Sequence, residues 1–285
     1  MSVTTLDPRT FTVPDESSVL GRLGGWWRDA WILTKRNLVH IRREPAQLSD
    51  ATVQPVLFTV LFVYIFGAAM RIPGGTYKDF AIGGLVTMNL TTAAMGTAVG
   101  LSSDLSTGVI DRFRTLPMAR STILAGRTVA DLLSAVLCST IVVITGFVIG
   151  WRADNGITGV IAGLGVAVFF AYALSWFTAC IGLSVSDPES AQAVGLIILF
   201  PVAFVSSCFV PTQGLPSWMR VIADWNPVSA VAASCRELFG NPNPAKLANN
   251  FPARHPVGMA IGWSIAIIVI CAPVATRLLR KRTTD

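Results

Sequence analysis

The chain has 285 residues, 52% of them hydrophobic and only 13% charged, with a mean hydropathy of +0.60 and a formal net charge of +6. Soluble domains carry about 25% charged residues, so a water-soluble globular protein is excluded. The basic residues are dispersed between apolar stretches rather than gathered on one domain, which also excludes a nucleic-acid-binding module.

Residues 1–19, with Pro8, Pro14 and several Ser and Thr, read as a disordered tail. Residues 20–45, LGRLGGWWRDAWILTKRNLVHIRREP, read as an amphipathic interface helix. At about 100° per residue, Leu23, Trp27, Trp31, Leu38 and Ile41 share one side and Arg28, Lys35, Arg36, Arg42 and Arg43 the other. Ile32 and Val39 fall among the basic residues, so the separation is imperfect. A basic, tryptophan-rich helix of this kind lies in the membrane interface. It is either a plain anchor or a helix that also touches a cytoplasmic partner, and Pro45 ends it.

Six uncharged or nearly uncharged runs follow, at about 48–70, 80–103, 122–150, 157–185, 190–210 and 256–277. Each approaches or exceeds the roughly 20 apolar residues that cross a bilayer. The fold class is therefore an all-α integral membrane protein with six transmembrane helices. The first run begins behind a polar, basic stretch, which is not the layout of a cleaved leader. With both termini cytoplasmic, 15 of the 22 lysines and arginines fall inside, including Arg112, Arg114, Arg120 and Arg127 and the basic tail at 279–285. Arg71, Lys78, Arg152, Arg220, Arg236, Lys246 and Arg254 fall outside. That asymmetry fits the positive-inside rule and an even number of spans.

Between spans 2 and 3 lies a charged segment, about 104–117. If helical, Leu105, Val109, Phe113 and Leu116 form an apolar stripe, with Asp104, Asp111, Arg112, Arg114 and Thr115 opposite and Pro117 as the stop. Such a helix either rests on lipid headgroups or docks its stripe into a groove of a partner.

Between spans 5 and 6, residues 211–240 mix short apolar pieces with Pro and Gly. Neither Trp218–Ala223 nor Val228–Phe239 is long enough to span, so the segment is a surface loop or a pair of re-entrant outer helices. Trp151, Trp218 and Trp225 suit an aromatic belt at that interface.

Four of the five cysteines, Cys138, Cys180, Cys208 and Cys271, sit inside apolar runs; with Cys235 they form no CxxC pair and read as packing residues. His40 and His255 are far apart, so no metal site is expected. Asp131 is the main intramembrane acid, and Arg127 four residues earlier makes a local ion pair its simplest partner. Asn89, Thr91, Thr92, Ser175 and Gln192 either bond between helices or line a path. The chain contains no GxxxxGK[ST] loop, so no ATP chemistry of its own is expected.

Three stretches together resemble the permease subunits of ABC type-2 transporters, most closely the daunorubicin/doxorubicin-resistance branch. SSDLSTGVIDRFRTLPMARSTILAGR (Ser102–Arg127) is similar to the family's coupling region, in which an acidic residue and a glycine precede a basic-rich stretch ending in Leu-Pro. LTKRNLVHIRREP (Leu33–Pro45) looks like its interface helix, and WNPVSAVAASCREL (Trp225–Leu238) like its short helical segment before the last span. The resemblance implies ATPase docking through Asp104, Leu105, Val109, Asp111, Arg112, Phe113, Arg114 and Leu116. It implies an interface helix carrying Trp27, Trp31, Arg36, Arg42 and Arg43, and an outer gate at Trp218, Trp225, Asn226 and Pro227.

The implied partners are two copies of a P-loop ATPase subunit, a second permease, identical or related, and membrane lipid. No cofactor is expected on this chain; ATP and Mg belong to the ATPase. The implied activity is export of a hydrophobic or amphiphilic small molecule across a bacterial plasma membrane. A polysaccharide-exporting permease is the alternative. An ion-coupled secondary transporter would favour more buried acids than this chain offers.

Overall fold

The computed structural model describes residues 45–107, 120–248 and 250–282, with the backbone course alone at 45–51, 120–127, 129, 130 and 248. The interface helix and most of the charged segment between spans 2 and 3 lie outside the described residues.

Apart from turns and one isolated bridge between Ile72 and Gly75, every described element is helical. The helices are α1 (Pro45–Ala69), α2 (Tyr77–Ala93), α3 (Met95–Ser106), α4 (Arg120–Val148) and α5 (Gly156–Ser184). Then come α6 (Pro188–Phe204), α7 (Ser217–Trp225), α8 (Pro227–Phe239), α9 (Phe251–Arg254) and α10 (Pro256–Arg282). Short 3-10 turns occupy Thr212–Gly214 and Pro244–Ala248. Five segments are long and apolar enough to cross a membrane: α1, α2 with α3, α4, α5 and α10. The sixth, α6, is apolar but has only 17 residues.

The bundle has the polarity of a protein dissolved in lipid. Its outside is large and apolar: Leu57, Leu61, Tyr64 and Ile65 on α1, Ile144 and Val148 on α4, and Val269 and Ile270 on α10 are exposed. Its inside contains Thr87, Thr91, Thr97, Ser102, Thr178, Ser234 and Ser264. Lipid offers no hydrophobic drive between helices, so close contact relies on small residues that let backbones approach. Gly182 on α5 shows it: an added Cβ would lie 2.4 Å from the Ala98 carbonyl oxygen on α3. Buried hydroxyls satisfy themselves on their own helix, as Thr87 does on the Gly83 carbonyl and Thr91 on the Thr87 carbonyl.

The second apolar run is one passage, Tyr77–Ser106, broken at Ala94. The break is stabilised from outside. The Ala94 carbonyl accepts from the Thr97 amide at 3.2 Å and from the Thr178 hydroxyl of α5 at 2.8 Å. Thr97 also donates to the Asp131 carboxylate on α4 at 2.5 Å. Helix starts are capped from the sequence. Thr76 donates its amide and hydroxyl to Asp79 at the start of α2. Asp187, ahead of Pro188, accepts from the Ser190 amide at 2.8 Å, and that bond, with the Ser190 hydroxyl, holds its carboxyl below the usual carboxylate range.

The loops sort into two ends. Lys78 donates to the Gly150 carbonyl, Asn155 to carbonyls of Glu237 and Leu238, and Asn241 to the Arg152 carbonyl. These contacts gather the start of α2, the α4–α5 loop and the whole α6–α10 connection at one end. At the other, Arg282 at the end of α10 donates to the Ser184 carbonyl at the end of α5.

Candidate functional site

The densest polar construction in the described chain is at the first of these ends, around α8. Asn226 starts that helix: its Oδ1 accepts from the Val228 amide at 2.8 Å, and Pro227 takes the first helical position. Gly240 ends it at φ 78°, where a side chain would also strike Asn155. Between these ends the helix is almost wholly buried, from Val228 to Arg236 and again at Phe239, packed against α2, α5 and α10. It is too short to span, and its surroundings are protein.

Opposite α8, α6 ends early. The apolar run continues to Val210, but the helix stops at Phe204, and Val205 leaves the helical region with ψ 54°. The following backbone, 205–209, would carry unsatisfied polar groups in an apolar bundle, which is tolerated only where protein supplies partners. The partners come from α8 and α2. Asn226 Nδ2 donates to the carbonyls of Val202 (2.6 Å) and Val205 (2.7 Å). Ser229 Oγ accepts from the Ser207 amide at 2.8 Å. Arg236 Nη2 donates to the carbonyls of Ser207 (2.7 Å) and Cys208 (3.1 Å), and its Nη1 to the Ser207 hydroxyl. The Tyr77 hydroxyl donates to the Phe209 carbonyl at 3.1 Å. Three consecutive carbonyls are thus held by two side chains from two other helices.

Arg236 is 1% exposed. Its Nε donates to the Phe80 carbonyl at 2.8 Å, and its guanidinium carbon lies 3.7 Å from the centre of the Phe80 ring. An always-protonated planar fork suits this neutral cage of carbonyls and one aromatic face. The approach depends on Gly83 and Gly84. A Cβ on Gly84 would lie 1.9 Å from the Cys208 carbonyl oxygen, and one on Gly83 would lie 2.9 Å from Arg236 Cγ. Phe209 is wedged between Phe62 of α1 (4.6 Å between ring centres) and Phe204 of α6 (5.6 Å).

The four residues read as an outer gate divide in two. Asn226 is buried in the construction just described, with Pro227 half-buried beside it. Trp218 and Trp225 point away on α7, 64% and 50% exposed, together with Val221 and Ile222. Arg220 and Asp224 of α7 face inward: Arg220 donates to carbonyls of Gln213 and Leu215, and Asp224 accepts from Thr212 and Asn250. Trp151, read from sequence as a belt residue, is fully buried instead. Its indole N–H donates to Asn241 Oδ1 at 2.9 Å, which a residue at the lipid surface has no reason to need.

At the other end, Asp104 and Leu105 lie in the last turn of α3. Leu105 packs, half-buried, beside Leu101, Ala179, Leu183, Ala275 and Leu279, so it belongs to the helix bundle. Val109, Asp111, Arg112, Phe113, Arg114 and Leu116 lie outside the described residues, as do Trp27, Trp31, Arg36, Arg42 and Arg43 of the interface helix. Of the intramembrane polar residues, Asn89, Thr92 and Ser175 donate to carbonyls on their own helices. The narrow cavity beside Asp131, Tyr172 and Ser175 is far too small for a drug-sized molecule. Among the described residues no three His, Cys, Asp or Glu gather as a metal site.

What remains is a bundle of membrane-crossing helices with a short polar-caged helix buried at one end, the architecture of a transport protein's membrane component. The sequence model of the ABC-2 type transporter family matches residues 28–239, and the chain belongs to that family. It is 32% identical over 247 residues to the daunorubicin resistance ABC transporter permease protein DrrB1 of Streptomyces coeruleorubidus, covering 87% of this chain and 84% of that one. It is 24% identical over 253 residues to the probable doxorubicin resistance ABC transporter permease protein DrrC of Mycobacterium tuberculosis, covering 88% of each. A putative transport permease, ycf38, of Porphyra purpurea is 25% identical over 216 residues, 73% of each chain. The family is a transmembrane permease component and not itself an ATPase. Membership implies an ATPase subunit and a second permease as partners.

Proposed function

We propose that this chain is the membrane half of an ATP-driven exporter for hydrophobic or amphiphilic small molecules, with drugs, lipids and secondary metabolites as the substrate class. The observation that carries the reading is the likeness over 87% of the chain to a permease named for daunorubicin resistance. The energy comes from two copies of a separate P-loop ATPase that binds ATP and Mg. Two permeases, identical or related, complete the complex. The membrane is the bacterial plasma membrane, with the N-terminus, the charged segment between spans 2 and 3 and the basic end of α10 on the cytoplasmic side. The α8 end, which holds Arg71, Lys78, Arg152, Arg220, Lys246 and Arg254, then faces outward, in the sense the positive-inside rule requires.

The charged segment couples the two subunits, with Val109, Phe113 and Leu116 seated on the ATPase and Asp111, Arg112 and Arg114 orienting them. ATP binding then biases the spans between two arrangements, because only a ligand with different affinity for the two shifts their balance. The test is reconstitution. The chain, co-expressed with an ATPase encoded beside it, is placed in inside-out vesicles with doxorubicin as the fluorescent probe. ATP-dependent accumulation supports the reading. A complex that hydrolyses ATP yet moves neither doxorubicin nor a fluorescent phospholipid refutes the substrate class. Failure to bind any ATPase refutes the coupling.

A further inference from the structure

The fifth apolar run and the helix built from it disagree in length. A helix over 188–210 would measure about 34 Å, enough to cross roughly 30 Å of hydrocarbon, whereas α6 as it stands measures about 25 Å. Nothing in 205–210, VSSCFV, forbids helix; the first such residue is Pro211, whose ring would clash with the Ser207 carbonyl. The run stops at Phe204 because other elements take its hydrogen bonds. In a continued helix the Val202 carbonyl would bond the Ser206 amide and the Val205 carbonyl the Phe209 amide. Here both carbonyls are held by Asn226, while Arg236 and Tyr77 hold those of Ser207, Cys208 and Phe209 further along the strip. Pro201, inside α6, already deprives the Ile197 carbonyl of its helical partner just before the break.

We propose that residues 205–209 are a helix–coil switch of the outer gate, held unwound by Arg236 as positioning residue and taken up into α6 when the gate opens. Of the two states, the wound one would pair the Val202 and Val205 carbonyls within α6, whereas the unwound one pairs them through Asn226 and holds the carbonyls of Ser207, Cys208 and Phe209 through Arg236 and Tyr77. The choice between them is therefore set by whether α8 and α2 stay together. Gly83 allows that contact, and Gly84 the contact of the strip with α2, in the state seen here, so any movement that parts α8 from α2 takes Arg236 or Tyr77 off the strip. Phe209 reports the same choice, since winding the strip draws its ring from between Phe62 and Phe204. The unwinding role of Arg236 stands on this geometry alone; the link to gating rests on the exporter reading above.

Cys208 is a native reporter, fully buried and unpaired as a thiol. The experiment uses the permease–ATPase complex in proteoliposomes, with Cys208 as the only cysteine, and measures its modification by a membrane-impermeant maleimide added outside. A second preparation keeps only Cys138, buried in α4 away from the strip. Without nucleotide, Arg236→Gln should raise Cys208 modification about tenfold, as loss of a buried hydrogen bond would, and leave Cys138 unchanged. Tyr77→Phe, which removes one hydroxyl and keeps the ring, should raise it by less. Trapping the wild-type complex with ATP and vanadate should also unmask Cys208. Equal protection in wild type and both variants overturns the proposal, as does exposure of Cys138 together with Cys208, which would make Arg236 a general strut. Should Arg236→Gln fail to insert, Tyr77→Phe alone decides. A trapped complex with measured ATP turnover but an unmoved Cys208 overturns the gating link. A preparation with no ATP turnover counts against the ATPase partnership instead and leaves the Arg236 comparison standing.

Discussion

Arg236 on α8 donates through Nε to the backbone carbonyl of Phe80 on α2 at 2.8 Å and lays its guanidinium carbon 3.7 Å from the centre of the same residue's ring. One side chain so ties a short helix to a spanning one through both a backbone and an aromatic contact. A buried cation is costly unless its hydrogen bonds are met. Here every contact it makes is to a neutral group, three of them on the strip that ends α6. The bond joins positions far apart in the chain, so its formation requires α2 and α8 to be in place together.

Gly84→Ala should destabilise the protein sharply. The new methyl would meet the Cys208 carbonyl oxygen at 1.9 Å and its carbon at 2.6 Å, and backbone has no rotamer with which to give way. Overpacking of this kind costs about 1–3 kcal/mol, more where the backbone is fixed. Gly165 on α5 is the control, because an added Cβ there meets nothing within 4 Å. Thermal unfolding in detergent should show a lowered midpoint for Gly84→Ala and an unchanged or raised one for Gly165→Ala. Equal midpoints would mean that α2 and the strip do not touch.

Asn226→Asp isolates the clip on α6 from the cap on α8. The aspartate still accepts from the Val228 amide, but it donates nothing to the Val202 and Val205 carbonyls and sets a negative charge against them. Each buried carbonyl left without a partner costs about 1–3 kcal/mol. Asn226→Ser, which also keeps an acceptor for the cap but adds no charge, should fall between wild type and Asn226→Asp in unfolding midpoint. A wild-type midpoint for Asn226→Asp would refute the clip.

The membrane-crossing pattern was legible because lipid imposes it: runs such as 157–185 have no other stable use. The end of α6 was not legible, because VSSCFV is as apolar as the turns before it. What stops the helix is Asn226 and Arg236, which are distant in sequence. Trp151 misled for a similar reason. A tryptophan between two spans fits an aromatic belt, and only the fold brings Asn241 to its indole. Arg236 read as one more outward positive charge; Pro227 at the start of its helix and the earlier Gly83–Gly84 pair were the available signals of a helix packed tightly on another. The four gate residues came from one motif, WNP and the tryptophan before it, yet the fold turns Trp218 outward and Asn226 inward because α7 and α8 meet at a bend between Trp225 and Pro227.

Phe113→Ala tests the coupling segment. An aromatic anchor at the centre of an interface is worth about 2 kcal/mol, or roughly 30-fold in affinity. The variant should insert normally but lose its ATPase on co-purification and lose transport. Arg112→Glu or Arg114→Glu should impair transport by less if those side chains sit at a solvated rim. A Phe113→Ala complex that survives purification and transports at the wild-type rate would show that the stripe rests on lipid headgroups.

Orientation is decided by one residue at each end of the bundle. Leu247 lies in the α6–α10 connection, 67% exposed, and Arg282 is exposed at the last described residue of α10. Neither is in a span core; a cysteine at 247 leaves the packing alone, and one at 282 gives up only the exposed bond to the Ser184 carbonyl. Neighbouring Asn243 is less suitable, since its Nδ2 donates to the Ala233 carbonyl and its Oδ1 is buried. In a cysteine-free background, Leu247→Cys should react with an impermeant thiol reagent on intact cells. Arg282→Cys should react only after the membrane is opened. The basic last turn of α10, Arg280, Lys281 and Arg282, is what should hold that end inside, through the bias of lysine and arginine toward the cytoplasmic face. The reverse labelling pattern would place the Arg236 construction on the cytoplasmic side and move the gate assigned to it there as well.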